Sequence, residues 1–158
     1  MGPAMTPAIT AVRRAGIAFE VLEYAHDPGP PAYGPEAAQA LGLPPEAVFK
    51  TLVARADGRL VVALVPVHRT LDLKALAAAV GARRAAMADA TEAERATGYV
   101  VGGISPLGQR RRLPTLIDRS AAALPRVFVS AGRRGLEIGL RPADLQALCG
   151  AALADLAR

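Results

Sequence analysis

The chain has 158 residues, 52% of them hydrophobic with alanine the commonest, and only 4% aromatic. That length suits one domain able to bury a core without disulfides or metals, and no apolar run reaches the roughly 20 residues of a membrane helix. A net charge of +5 and a single cysteine, Cys149, exclude an internal disulfide, fit a reducing cytoplasm and favour a polyanionic partner.

Residues 1–4 are read as an N-terminal extension, native or left over from cloning, without the basic region and long apolar core of a signal peptide. "TPAITAVRRAG" then predicts a helix, with Thr6 as N-cap, Pro7 in the first turn and Gly16 as stop. "IAFEVLEY" alternates as a strand does. The proline-rich "AHDPGPPAYG" reads as a loop, too short and too early to divide domains. "PEAAQALG" is a short helix. "VFKTLVAR", a turn at Asp57-Gly58 and "LVVALVP" make a β-hairpin. "DLKALAAAVG" is a helix capped by Asp72, "RAAMA" a short strand, and "TEAERATG" a helix stopped by Gly98. "YVVGG", "LPTLID" and "RVFVSAG" read as strands. "GRRG" turns the last of these into "LEIGL", and "PADLQALC" closes the chain as a helix. Hairpins mixed with helical connections predict a single-domain α+β fold, a curved mixed β-sheet or open barrel surrounded by helices.

The chemistry-bearing motifs are few. There is no CxxC, no HExxH, no phosphate-binding glycine loop, and the two histidines lie far apart, so neither metal nor cofactor is expected. "VGGISPLGQ", Val101 to Gln109, starts like the elbow of a serine hydrolase. The pattern fails because Pro106 has no N–H to offer an oxyanion, which makes Ser105 a poor nucleophile. Its glycines permit close backbone approach to a ligand, and the N–H groups of Gly103, Ile104 and Ser105 are candidates for a carbonyl cradle. From the pattern alone a plain glycine-rich bend after a strand is the favoured reading. Lys50 and Lys74 are the two lysines among 19 basic residues, so each draws notice where a compact ammonium would matter.

Several segments together resemble the YbaK/EbsC family, most closely its Cys-tRNA(Pro) deacylase branch. They are "MTPA" at 5–8, "YAHDP" at 24–28, "VFKTLV" at 48–53, "LDLKALAAAVGA" at 71–82, "MAD" at 87–89, "TGYVVGGISPLGQRRRLPTLID" at 97–118 and "VSAGRRGLEIGL" at 129–140. The resemblance spans residues 5–158 as one YbaK-like deacylase domain, related to the editing domain of bacterial prolyl-tRNA synthetases. It implies a trans-editing deacylase that cleaves the ester of mischarged Cys-tRNA(Pro). Cysteine is close to proline in size, and a pocket rejects such a neighbour poorly, so a second hydrolytic site is useful. The thiol of the cysteinyl group is expected to assist by attacking its own ester carbonyl.

The resemblance also implies roles. Lys50 matches the family's essential lysine, placed to stabilise charge at the ester carbonyl or to position the terminal adenosine; a solvated lysine is the plainer reading. Gly102, Gly103, Ile104, Ser105 and Pro106 match its glycine–proline substrate loop. Tyr24, His26, Thr51 and Ser130 match positions at or near the pocket, and His26 is not assigned as a base. Glu137 stands where the deacylase branch carries aspartate, which keeps the charge and adds a methylene. Arg110, Arg111 and Arg112 are candidates for tRNA phosphates, against the plainer reading of a solvated basic turn. Cys149 reads as core. The expected partners are tRNA and prolyl-tRNA synthetase, with the protein monomeric and off the membrane. The alternatives are a deacylase for Ala-tRNA(Pro) and a non-catalytic module that binds tRNA or the synthetase.

Overall fold

A computed structural model describes residues 5–25 and 33–158. Helix α1 (Pro7–Ala15) begins where Thr6 Oγ1 accepts from Ile9 N–H at 3.2 Å and ends where Gly16 turns left-handed, φ 68°. Strand β1 (Phe19–Glu23) and helix α2 (Tyr33–Leu41) follow, then a single 3-10 turn at Pro45–Ala47. Strands β2 (Phe49–Ala56) and β3 (Arg59–Pro66) form the predicted hairpin over Asp57-Gly58, with φ of 48° and 84°. Those positive angles mark the tight turn type that matches strand twist. The Asp57 carboxylate also accepts from the backbone of Arg83 and Arg84, which ties the hairpin tip to the chain ahead of β4.

Helix α3 (Leu73–Ala79) starts on the Asp72 cap and leads to β4 (Ala85–Met87). Helix α4 (Ala90–Thr97) starts on the Asp89 cap, whose carboxylate accepts from Glu92 N–H at 2.8 Å, and stops at Gly98. The remaining elements are β5 (Thr115–Asp118), a second 3-10 segment at Arg119–Ala123, β6 (Val127–Ser130), β7 (Leu136–Leu140), α5 (Pro142–Cys149) and β8 (Ala152–Ala154).

The strands form two sheets. One has the order β1-β7-β6 and is antiparallel throughout; the other has the order β4-β2-β3-β5-β8, with β3, β5 and β8 mutually parallel. A lone parallel bridge between Val48 and Phe128 joins them. The architecture is α+β as predicted, an open arrangement of mixed sheets with helices around it.

Alternation along β3 explains the core. Val62 and Leu64 face the main cluster with α1, α4, α5 and the three-stranded sheet, whereas Val61, Ala63 and Val65 face α3. Buried on both faces, the strand reads as a continuous apolar run.

Two predictions about elements are corrected. "YVVGG" is not a strand: Tyr99 is buried and its hydroxyl donates to Leu107 O at 2.6 Å, while Val100 and Val101 are exposed. Its apolar residues anchor a loop rather than pair in a sheet. Strand β8 was not anticipated, since "ALA" has weak strand preference. It forms because Asp118, at the end of β5, accepts from the N–H groups of Leu156 and Ala157, both at 2.9 Å, and draws the C-terminal segment alongside.

Candidate active site

The hairpin leaves one edge bare. β4 covers only Ala54–Ala56 of β2, and Ala88 N–H adds one bond to Val53 O. Past the bridge from Val48 to Phe128, no strand ladder covers that side of β2 from Lys50 to Leu52 among the described residues. A cavity of about 400 Å³ opens along this edge, and six consecutive residues, Val48 to Val53, line it. Opposite them stand Ser130 of β6, Glu137 of β7 and Tyr24 just after β1; the start of α4 and Gly102 and Ile104 of the following loop complete the wall. The volume lies within the range of small-molecule sites.

The polar groups here are sparse and isolated. Lys50 is half-buried, and burial lowers its ammonium pKa; no carboxylate lies at ion-pair distance among the described residues. Thr51 Oγ1 is fully buried yet has no hydrogen-bond partner. Glu137 is 6% exposed, and burial pushes its carboxyl up to about 8, so at neutral pH it is mainly a neutral acid able to donate a proton. Tyr24 is likewise raised, chiefly by burial, and its backbone N–H donates to Gly135 O at 2.9 Å. Ser130 Oγ accepts from Gly132 N–H at 3.2 Å, which holds the strand end against the turn. The cavity thus offers one cation, weak donors and apolar walls.

The predicted site residues divide. Tyr24, Lys50, Thr51, Gly102, Ile104, Ser130 and Glu137 line one cavity. Gly103, Ser105 and Pro106 stand behind it as the loop's scaffold. Gly103 N–H is already engaged by Val100 O at 2.8 Å, and a Cβ at Gly103 would sit 2.5 Å from Arg133 Cα. This glycine lets the loop pack on the β6–β7 turn. Gly102, with φ 98°, is the one that both turns the chain and faces the cavity. Ser105 is buried, and its Oγ accepts from Leu107 N–H at 3.2 Å. Pro106 O accepts from the thiol of Cys149 at 3.4 Å, and burial raises that thiol to about 12. Neither Ser105 nor Cys149 is poised to attack a substrate.

His26 lies outside the described residues. Arg111 and Arg112 line a separate cleft, and Arg110 packs over Gly98. Reading the sequence missed the apolar wall: Met87, Ala88, Ala90 and Ala93. Its one signal was the pair of alanines three apart at the start of α4, which share a helix face.

Comparison with known proteins places the same segments in context. Residues 30–148 match the model of the aminoacyl-tRNA editing domain. Over 120 residues the chain is 37% identical to a protein of Enterococcus faecalis provisionally named Cys-tRNA(Pro)/Cys-tRNA(Cys) deacylase EbsC, covering 75% of this chain and 73% of that one. A proline–tRNA ligase of Moorella thermoacetica is 33% identical over 98 residues, 62% of this chain but only 17% of the ligase. A solved structure, provisionally described as a trans-editing enzyme for prolyl tRNA synthetase, superposes with a TM-score of 0.80 at 27% identity, covering 98% of this chain and 99% of that one.

Proposed function

The chain belongs to the aminoacyl-tRNA editing domain family, and from that membership we propose that it acts in trans on Cys-tRNA(Pro), cleaving the ester between the cysteinyl group and the terminal adenosine. The activity class is aminoacyl-tRNA deacylation. One observation carries the finer reading: the cavity gathers Lys50, Thr51, Ser130 and Glu137 without an activated protein nucleophile among the described residues. A site of this kind suits a substrate that brings its own nucleophile.

The cysteinyl thiol is such a group. Its sulfur attacks the ester carbonyl carbon, and the bond from that carbon to the ribose oxygen breaks. The thiol proton ends on the released ribose hydroxyl, and the amino acid leaves as a cyclic thiolactone. The protein's part is to orient and to stabilise charge, two effects that supply large rate factors without covalent catalysis. Lys50 faces the oxygen that becomes negative. Thr51 Oγ1, unpartnered in the free protein, donates to the aminoacyl group, and the neutral Glu137 does so from the opposite wall. Gly102 lets the loop backbone close on the ligand. Association with prolyl-tRNA synthetase supplies the choice of tRNA, since the described lining of the cavity is mostly apolar, with few polar groups to read a base sequence.

The test is turnover of Cys-, Ser- and Ala-tRNA(Pro) by substoichiometric protein. Cys-tRNA(Pro) is expected to be cleared far faster than the seryl form, whose hydroxyl is the weaker nucleophile. Equal rates on those two would overturn thiol assistance in favour of water. Preferential clearance of the alanyl form would replace the amino acid assigned here, and binding without turnover would make the protein a tRNA-binding module.

A further inference from the structure

A second depression, about 700 Å³, lies on the outer side of α4 between the β2–β3 turn and residues 111–114. Five arginines line it: Arg55, Arg59, Arg95, Arg111 and Arg112. Two acids stand among them, and both are already engaged. The Asp89 carboxylate caps α4 through Glu92 N–H, and Glu92 pairs with Arg55. Arg59, Arg95, Arg111 and Arg112 are exposed, with no carboxylate at ion-pair distance among the described residues. The Arg112 guanidinium lies against Gly150 at the end of α5, so the like charges of Arg59, Arg95 and Arg111 are the ones left over the concavity, where they repel one another until an anion arrives. Guanidinium forks fit phosphate oxygens in pairs, so the chemistry points to a phosphodiester chain.

Position argues for which chain. Helix α4 is the partition between the two depressions: Ala90 and Ala93 face the cavity, while Thr91, Glu92 and Arg95 face the cleft. A helix is about 10–12 Å across with its side chains, and a nucleic-acid strand kept stacked advances about 3.4 Å per residue. A strand whose 3′ terminus enters the cavity therefore has its phosphates beside the cleft within roughly three or four nucleotides. We propose that this arginine-lined cleft grips the sugar-phosphate backbone of the acceptor strand while its aminoacyl end occupies the cavity. The proposal rests on the deacylase reading. It draws Arg59 and Arg95, remote in sequence from the basic run, into the RNA surface and leaves Arg110 out of the cleft.

The experiment uses the full chain and a fluorescently labelled, uncharged acceptor-stem minihelix ending in CCA, with anisotropy read between 50 and 200 mM salt (roughly the range over which phosphate contacts are lost). The paired variants Arg59→Gln/Arg95→Gln and Arg95→Gln/Arg111→Gln are compared with Arg13→Gln/Arg14→Gln, which removes the same charge from the exposed end of α1. Each cleft pair is expected to weaken binding about tenfold and to flatten the logarithmic salt slope by about 1.4–1.8, the release expected from two phosphate contacts. On charged tRNA the loss is expected to fall on KM. Unchanged affinity and slope in both cleft pairs would overturn the proposal, and would leave the cleft to an acidic protein. An equal loss in the α1 pair would overturn it too, by reducing binding to net charge. Cleft-dependent minihelix binding by a protein that hydrolyses no charged tRNA would support the cleft and sink the deacylase reading, so the two failures are distinguishable.

Discussion

Lys50 is the residue on which the proposed chemistry turns. In a chain that otherwise uses arginine almost throughout, it sits on the bare edge of β2, partly desolvated and with no carboxylate at ion-pair distance among the described residues. Lys50→Ala is expected to lose about 10²–10³ in single-turnover rate, the cost of one electrostatic contact to a developing oxyanion. Lys50→Arg recovers only part of this, because a broad planar guanidinium does not occupy the place of a point charge. Lys74, exposed on α3, tolerates Ala and serves as control. Circular dichroism on all three variants separates chemistry from unfolding, and a wild-type rate in Lys50→Ala would remove the lysine from the mechanism. The position was legible in the sequence because lysine is rare there and "VFKTL" carries the resemblance. The state of Glu137 was not: the letters promise a charge, and only the packing of β7 against the cavity makes it a neutral acid.

At the scale of elements, the loop after α4 divides labour between neighbouring glycines. Gly103→Ala is expected to lower thermal stability by about 1–3 kcal/mol, the usual cost of overpacking, because the new Cβ meets the backbone of Arg133 rather than a movable side chain. Deacylation falls with it, since a displaced loop carries Gly102 and Ile104 away from the cavity. Thermal melts and initial rates on the same preparation check both, and an unperturbed melt would show that the β6–β7 turn yields easily. Most elements were legible because their ends are chemically marked: Thr6 and Asp72 cap helices, and Asp57-Gly58 sets the hairpin. Asp89, read as part of "MAD", gained its capping role only from the structure. The misread strand at Tyr99 and the unread β8 share a cause. Each depends on a hydrogen bond that apolar patterning does not encode, to the carbonyl of Leu107 eight residues on in one case and to the distant Asp118 in the other.

For the whole molecule, the burial of Glu137 makes stability depend on pH. Its pKa rises from 4.5 in the open chain to about 8 when folded. Between those values the unfolded chain has released a proton that the folded protein still holds, so stability falls as pH rises through this window and levels off above it. Denaturant melts of the wild type are expected to shift to lower midpoints from about pH 4.5 to about 8. Glu137→Gln, which keeps the shape and cannot ionise, should show a flatter profile over the same range. Coincident profiles for the two proteins would mean that the carboxyl is ionised in the fold.

The partition formed by α4 has an evolutionary consequence. One face of this short helix is small and apolar, the other charged, and the two faces border different depressions. On the proposed reading, residues at 90 and 93 set how much room an aminoacyl side chain finds, whereas the residue at 95 lines only the cleft. A lineage can therefore exchange one amino acid for another by changing the inner face alone and keep its hold on RNA, or alter that hold while its choice of amino acid drifts not at all. Two traits that a single pocket would have bound together are free to vary along separate paths, with one turn of helix between them.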